Sequence, residues 1–343
     1  MKTPLRIAVT LLLCALLLLF VVEPRTVLQT LLRCDPWWAA IAVAALTIDR
    51  ILMSFKWGLL LAIRGHAMTL WQRLMVYCSS MMWGLALPST VGADGIRVLL
   101  VRRFGVRADD AVATILVERG IGFVSALMSG LVGLLILQSA VPHASAYRYP
   151  LLGGFALLLG VIAILIFSFS AHPLSSLRRV LPRRLAASRA MQMLERLHIA
   201  YRSLAVDRPK LAAFAALTLL EQLLMIVCYW LVASALGITL NGVILFAAVA
   251  LAILVSRLPI SIDGIGVYEG IFIGILTLAG IRVEDALAIS IAARALQILV
   301  WTPWWLALMI RTRAIAPPRA APAVPTTTDR KSTRLNSSHP YRS

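Results

Sequence analysis

Apolar residues run along this chain in long blocks, and polar residues interrupt them at a few defined places. The blocks 7–22, 37–63, 109–138, 150–170, 211–236 and 284–310 each come near the roughly 20 residues that cross a bilayer as a helix. Two further apolar stretches are broken. Residues 74–98 contain "LPSTVGADG", and residues 243–280 contain "LPISIDGIGVYEG". Proline removes a backbone donor and glycine loses more entropy on ordering, so neither is cheap inside a helix. The pattern predicts an all-α polytopic membrane protein with about six full transmembrane helices and two re-entrant helical hairpins.

Charge sets the expected orientation. Lys2 and Arg6 place the N-terminus inside, and Arg64 and Arg73 follow the return of 37–63. Arg97, Arg102, Arg103 and Arg107 follow the first broken segment, so basic residues flank it on both sides and it dips from the cytoplasmic face. The second dips from the outer face, and Arg311 begins a cytoplasmic tail. Residues 173–210 are a basic cytoplasmic loop. Within it Leu185, Met191, Leu194, Leu197, Tyr201 and Leu204 fall roughly on one helical face, which suits either an interfacial helix on anionic lipid or a solvated loop. The net charge of +18 follows the positive-inside rule and does not call for nucleic acid. The 60% hydrophobic and 14% charged residues exclude disorder and argue against an ordinary soluble domain. The N-terminal block has no small-residue cleavage site and reads as an uncleaved span. Cys14, Cys34, Cys78 and Cys228 are scattered without a C-x-x-C, which predicts no metal and no disulfide.

The two broken segments resemble each other. "LPSTVGADGIRV" (87–98) aligns with "LPISIDGIGVYE" (258–269), setting Pro88 on Pro259 and Thr90 on Ser261. Upstream, "LTIDRILM" aligns with "LTLLEQLLM" and sets Asp49 on Glu221. Downstream, "ADDAVATILVER" aligns with "VEDALAISIAAR" and sets Asp110 on Asp285 and Arg119 on Arg294. The offsets are 171 (Pro88 to Pro259), 172 (Asp49 to Glu221) and 175 (Asp110 to Asp285). Three matches in one order at nearly one offset indicate an internal duplication, with units at about 37–138 and 211–310. Three full spans separate the hairpins, so the units are inverted. Inverted repeats with broken helices are a transporter pattern, with the substrate site at the repeat interface.

Depth narrows the site. Arg119 and Arg294 each lie nine residues into a span, roughly 14 Å along a helix, and enter from opposite faces. Both therefore reach the middle of a core about 30 Å thick. Asp49 and Glu221 are also mid-span. Ionisable groups at that depth are functional by default. Arginines there suit a phosphate, and the glycine-rich breaks supply free N–H groups for the same anion. The competing arrangement is a set of ion pairs locking helices together: Asp49 or Glu118 with Arg119, and Glu221 with Arg294.

"LPSTVGADGIRV", "VERGIG" and "RLPISIDGIGVYEG" resemble the membrane domain of lysylphosphatidylglycerol synthases and the stand-alone flippase-like proteins related to it. The resemblance covers roughly residues 5–312. It implies translocation of phospholipids or other phosphate-bearing lipids, and by motif match it adds Asp94 and Arg97, Glu118 and Arg119, and Arg257 and Glu269 as polar positions. The candidate substrate-binding set is therefore Asp49, Asp94, Arg97, Glu118, Arg119, Glu221, Arg257, Ser261, Asp263, Glu269 and Arg294. Ala93 stands where the family often has a second glycine, Asp263 where a glycine is expected, and Tyr268 where a basic residue is common. These changes bear on the headgroup and leave the fold expectation untouched.

The expected function is movement of a phospho- or isoprenoid-linked lipid across a bacterial-type cytoplasmic membrane, with both termini cytoplasmic, no cofactor and no enzymatic activity. A membrane phospholipid or other anionic lipid is the expected partner, with a lipid-synthesising enzyme as a second. One alternative is a membrane-embedded transferase acting on a lipid-linked substrate, for which Asp109–Asp110 is the single acidic pair considered. Another is a non-catalytic partner of a lipid synthase. The expected membrane domain spans 1–312, and 313–343 reads as a disordered tail. "RKSTRLNSSHPYRS" (330–343) resembles translated sequencing-adaptor sequence and is set aside.

Overall fold

The computed structural model describes residues 24–85, 90–140, 148–169, 189–257 and 266–314. The expected span 7–22, the prolines Pro88 and Pro259, Ser261, Asp263 and the tail lie outside the described residues. Eleven helices make up the described chain, with no strand among them. They are α1 (Pro24–Leu32), α2 (Pro36–Ile63), α3 (Leu70–Leu85), α4 (Thr90–Arg102), α5 (Ala108–Ala140) and α6 (Arg148–Ser168), followed by α7 (Arg189–Ser203), α8 (Arg208–Ala235), α9 (Gly242–Ser256), α10 (Val267–Leu278) and α11 (Val283–Ala314). Four of them, α2, α5, α6 and α8, are long and apolar enough to cross a membrane. The helix α11 is 32 residues long but carries more charge, while α9 and α10 are shorter apolar helices.

Local chemistry starts the two central helices in the same way. Asp35 caps α2 by accepting from the Trp37 N–H at 2.8 Å, with Pro36 at the first helical position. Asp207 caps α8 by accepting from the Lys210 N–H at 3.2 Å, with Pro209 in the first turn. The hydrogen bonds from Lys210 hold the Asp207 carboxyl below the usual carboxylate range. Each of these helices ends at a glycine in the left-handed region, Gly65 (φ 76°) and Gly237 (φ 70°).

The long pair α2 and α8 lies side by side and antiparallel at the centre. At one end the Asp35 N–H donates to the Ala235 carbonyl at 2.7 Å, and at the other Arg64 reaches Ser203, just before α8. The remaining helices pack around this pair. The hairpin α3–α4 packs on α2, and α11 packs along α3. The hairpin α9–α10 packs on α8, and α5 packs along α9. Both outer ends of α3–α4 lie together, because His66 in the turn before α3 meets Asp110 at the start of α5, with 2.7 Å between Nε2 and Oδ2.

Lipid tails are as apolar as leucine, so close packing rather than water exclusion holds such helices together. The α5–α9 contact illustrates this. A Cβ on Gly133 would lie 3.3 Å from the Ala247 Cα, and on the α9 side Ala247, Ala248 and Ala250 are buried. Gly133→Leu is expected to force the two helices apart and destabilise the protein by about 1–3 kcal/mol, read as a lower thermal midpoint in detergent. An unchanged midpoint would show that the contact is looser than its geometry.

The basic segment contains the helix α7, and part of its apolar face meets protein. Ala200 and Leu204 are buried with Leu60, Val117 and Phe214 from α2, α5 and α8. Residues 189–203 form a helix packed against α5, while Met193, Leu194 and Ile199 on it stay exposed and leave apolar side chains able to enter lipid.

Candidate functional site: a charged cavity at the centre

A cavity of about 200 Å³ opens where α2, α3, α5 and α8 meet, against the end of α9. Four cationic side chains line it: Arg50 and Lys56 of α2, Arg119 of α5 and Arg257, which follows α9. Two carboxylates share the wall, Glu118 and Glu221.

Behind the wall on one side is a network centred on Arg97 of α4, which is fully buried. Its Nη1 donates to Glu118 Oε2 at 2.7 Å and its Nη2 to Asp94 Oδ1 at 3.0 Å. The guanidinium carbon lies 4.4 Å from the centre of the Tyr77 ring and 5.5 Å from that of Trp57, within cation–π range. The Tyr77 hydroxyl donates to Glu118 Oε1 at 3.1 Å. Asp94 also accepts two bonds from Arg119, from Nε at 3.0 Å and Nη2 at 2.9 Å. One aspartate thus holds the buried arginine and the cavity arginine together.

On the other side one pair runs across the α2–α8 contact and another lies within α2. Lys56, 3% exposed, donates to Glu221 and to Thr218 Oγ1, the latter at 3.3 Å. Its ammonium lies 5.3 Å from the Phe214 ring centre. Asp49 accepts from Arg50 Nε at 2.8 Å, and the second Asp49 oxygen is buried without a partner among the described residues.

Arg257 differs from the other cations. No carboxylate among the described residues lies within ion-pair distance of it. Its guanidinium rests beside Gly122, where a Cβ would come within 3.0 Å of Nη1. Together the cavity and its bonded neighbours hold five cations (Arg50, Lys56, Arg97, Arg119, Arg257) and four carboxylates (Asp49, Asp94, Glu118, Glu221). The described site therefore carries one positive charge in excess, centred on a guanidinium with open donors.

Of the residues expected from the sequence, Glu118, Arg119, Glu221 and Arg257 line the cavity, and Asp49, Asp94 and Arg97 bond to residues that do. Glu269 and Arg294 form a separate pair at 3.7 Å on α10 and α11. Glu269 also accepts from the Gly266 N–H at 2.6 Å, a capping bond that starts α10. The ion-pair assignments read from the sequence are corrected. Asp94 takes Arg119, Arg97 takes Glu118, Arg50 takes Asp49, and Lys56 takes Glu221. The sequence reading missed Arg50, Lys56, Tyr77 and Gln222. Lys56 was findable: a lysine two turns after Asp49 in an otherwise apolar helix needs a buried partner. No group of three or more His, Cys, Asp or Glu able to hold a metal occurs among the described residues.

Long apolar helices around a cation-rich cavity define a multi-pass membrane protein with a polar site within its helical bundle. The family model described as the lysylphosphatidylglycerol synthase TM region matches residues 5–304, and the chain belongs to that family. No curated protein matches it.

Proposed function

We propose that the protein moves a phosphate-bearing lipid, phospho- or isoprenoid-linked, across a bacterial-type cytoplasmic membrane. The observation that carries this reading is the cavity in which Arg257, without a carboxylate partner among the described residues, stands beside Arg119, Lys56 and Arg50. Guanidinium groups at such a site match phosphate with paired hydrogen bonds. Membership of the family supports the lipid as the bearer of that phosphate.

The architecture in this reading is six spans and two re-entrant hairpins in an inverted repeat, both termini cytoplasmic. The packing supports it. At the sequence offsets, α2, α3, α4 and α5 correspond to α8, α9, α10 and α11. The contacts then come in matched pairs: α3 on α11 answers α9 on α5, and α3 on α4 answers α9 on α10. The turn glycines Gly105 and Gly280, both at φ 84°, occupy matching places. In a cysteine-free background, Arg107→Cys and Ile281→Cys are expected to label from opposite faces of the membrane. Labelling from one face would remove the inverted repeat.

Translocation rather than transfer chemistry is favoured by the state of the acidic pair. Asp110 is occupied by Arg64 and His66, and Asp109 lies 3.5 Å from Arg107. Reconstitution into liposomes tests the proposal. Movement of a leaflet-restricted fluorescent phospholipid supports it; chemical conversion of the lipid, or neither, overturns it.

A further inference from the structure

A second cleft, which this reading leaves unused, lies away from the central cavity. It has a volume of about 510 Å³ and lies between α1, the turn after α8 and the start of α11. Gln29 and Arg33 line it from α1, Thr239 from the turn, and Arg282 and Asp285 from the α11 side. The helix α2 runs 28 residues, or roughly 42 Å, from this end to the other.

The opposite end shows what such a cleft looks like when it is closed. There the matching elements are α7, the turn after α2 and the start of α5. Arg64 donates to Asp110 Oδ1 from Nε at 2.8 Å and Nη2 at 2.6 Å, and also reaches Ser203 of α7. His66 takes the other Asp110 oxygen. Three elements are drawn together by the protein's own charges.

At the offsets of 172 and 175 residues, Arg64 corresponds to Leu236, His66 to Ile238 and Asp110 to Asp285. The acid remains, but the two cations of the turn have become apolar. The cations at this end come instead from Arg33 and Arg282, and they do not close the cleft. Arg282 Nε is 3.6 Å from Glu284 and 3.8 Å from Asp285, and no carboxylate among the described residues is within ion-pair distance of Arg33. Two arginines, three threonines and a glutamine therefore line an open volume with one carboxylate on its wall.

The level in the membrane is marked by tryptophan. Trp37 is 72% exposed at the start of α2, and Trp38 meets Trp230 near the end of α8, edge to face at 6.0 Å. Tryptophan gathers where headgroups begin. The volume is larger than a free phosphate fills and falls in the range of ligand pockets.

We propose that this cleft binds the phosphodiester of a lipid headgroup in the leaflet at that end, as a station separate from the central cavity. The carboxylate–guanidinium closure made by Asp110 and Arg64 at the opposite end is replaced here by an external phosphate between Arg33 and Arg282. The repeat supplies the comparison, but binding does not require that the protein move lipid, so the two readings fail separately.

The test is native mass spectrometry on the full chain in detergent, titrated with short-chain phosphatidylglycerol. Wild type is expected to retain a lipid that Arg257→Gln also retains. Arg33→Gln with Arg282→Gln should weaken that binding about tenfold or more through loss of charge-assisted donors. Asp285→Asn should strengthen it, because a competing carboxylate is gone. The opposite signs separate a ligand site from general damage. If the glutamine pair fails to elute as a single species, Arg33→Lys with Arg282→Lys, expected to keep most of the binding, and Asp285→Asn decide the matter. Inorganic phosphate is titrated in parallel. Weak competition by phosphate supports a headgroup, whereas phosphate binding as tightly as the lipid overturns it. Unchanged lipid binding in both the arginine and Asp285 variants removes the cleft as a site.

Discussion

Arg97→Met is expected to destabilise the protein by about 3–5 kcal/mol, the range for stripping one partner from a buried ion pair. Arg97 is fully buried and holds Glu118 and Asp94 at once. Methionine fills much of the space but offers no donor. Glu118, 8% exposed, would keep the Tyr77 hydroxyl and lose its cation. Asp94 would keep Arg119. The loss therefore falls mainly on Glu118, and adding Glu118→Gln should restore part of the stability because the stranded charge is removed. The measurement is thermal unfolding in detergent for wild type, both single variants and the double variant, which isolates the coupling between the two positions. Additive losses would mean that Arg97 and Glu118 act independently despite their 2.7 Å contact.

The same residues show what a sequence can and cannot disclose about such a protein. The apolar blocks at 37–63, 109–138, 150–170 and 211–236 became helices with nearly those bounds, because in lipid every backbone group must be satisfied within its own segment. The polar positions were also legible as positions, since a charge inside an apolar run is conspicuous. Their partners were not. Lys56 meets Glu221 across 165 residues, and Arg97 meets Glu118 across 21. Which cation takes which acid is decided by the rotation of α2 against α8 and of α4 against α5, and periodicity along one helix does not encode that rotation. The repeat misled in one respect. It suggested equivalent charges in both halves, but Arg97 corresponds to Tyr268 and Glu118 to Ala293. In the second half Tyr268 packs with Tyr229 and Phe272. The described charge is concentrated around the first hairpin, so the site is asymmetric although the helix packing is paired.

That asymmetry singles out Arg257, the described cavity cation that the second half contributes. Arg257→Gln is expected to lower lipid translocation by about 10- to 100-fold, the loss of charge-assisted hydrogen bonds worth roughly 1.5–3 kcal/mol. Thermal stability should stay at the wild-type value. The reason lies in the pairing: Arg97 and Lys56 each leave a carboxylate stranded when removed, whereas Arg257 has no carboxylate among the described residues to strand. Glutamine keeps polar reach into the cavity and takes away only the excess positive charge. Gly122→Val offers an independent route to the same end, since its side chain would occupy the space where the Arg257 guanidinium rests. Both variants are measured in liposomes against wild type with a leaflet-restricted fluorescent phospholipid, alongside unfolding in detergent. Slow translocation with unchanged stability in Arg257→Gln places the phosphate on this guanidinium. A stability loss in step with the activity loss would show that Arg257 is held by a carboxylate after all, and full activity in both variants would move the phosphate away from it.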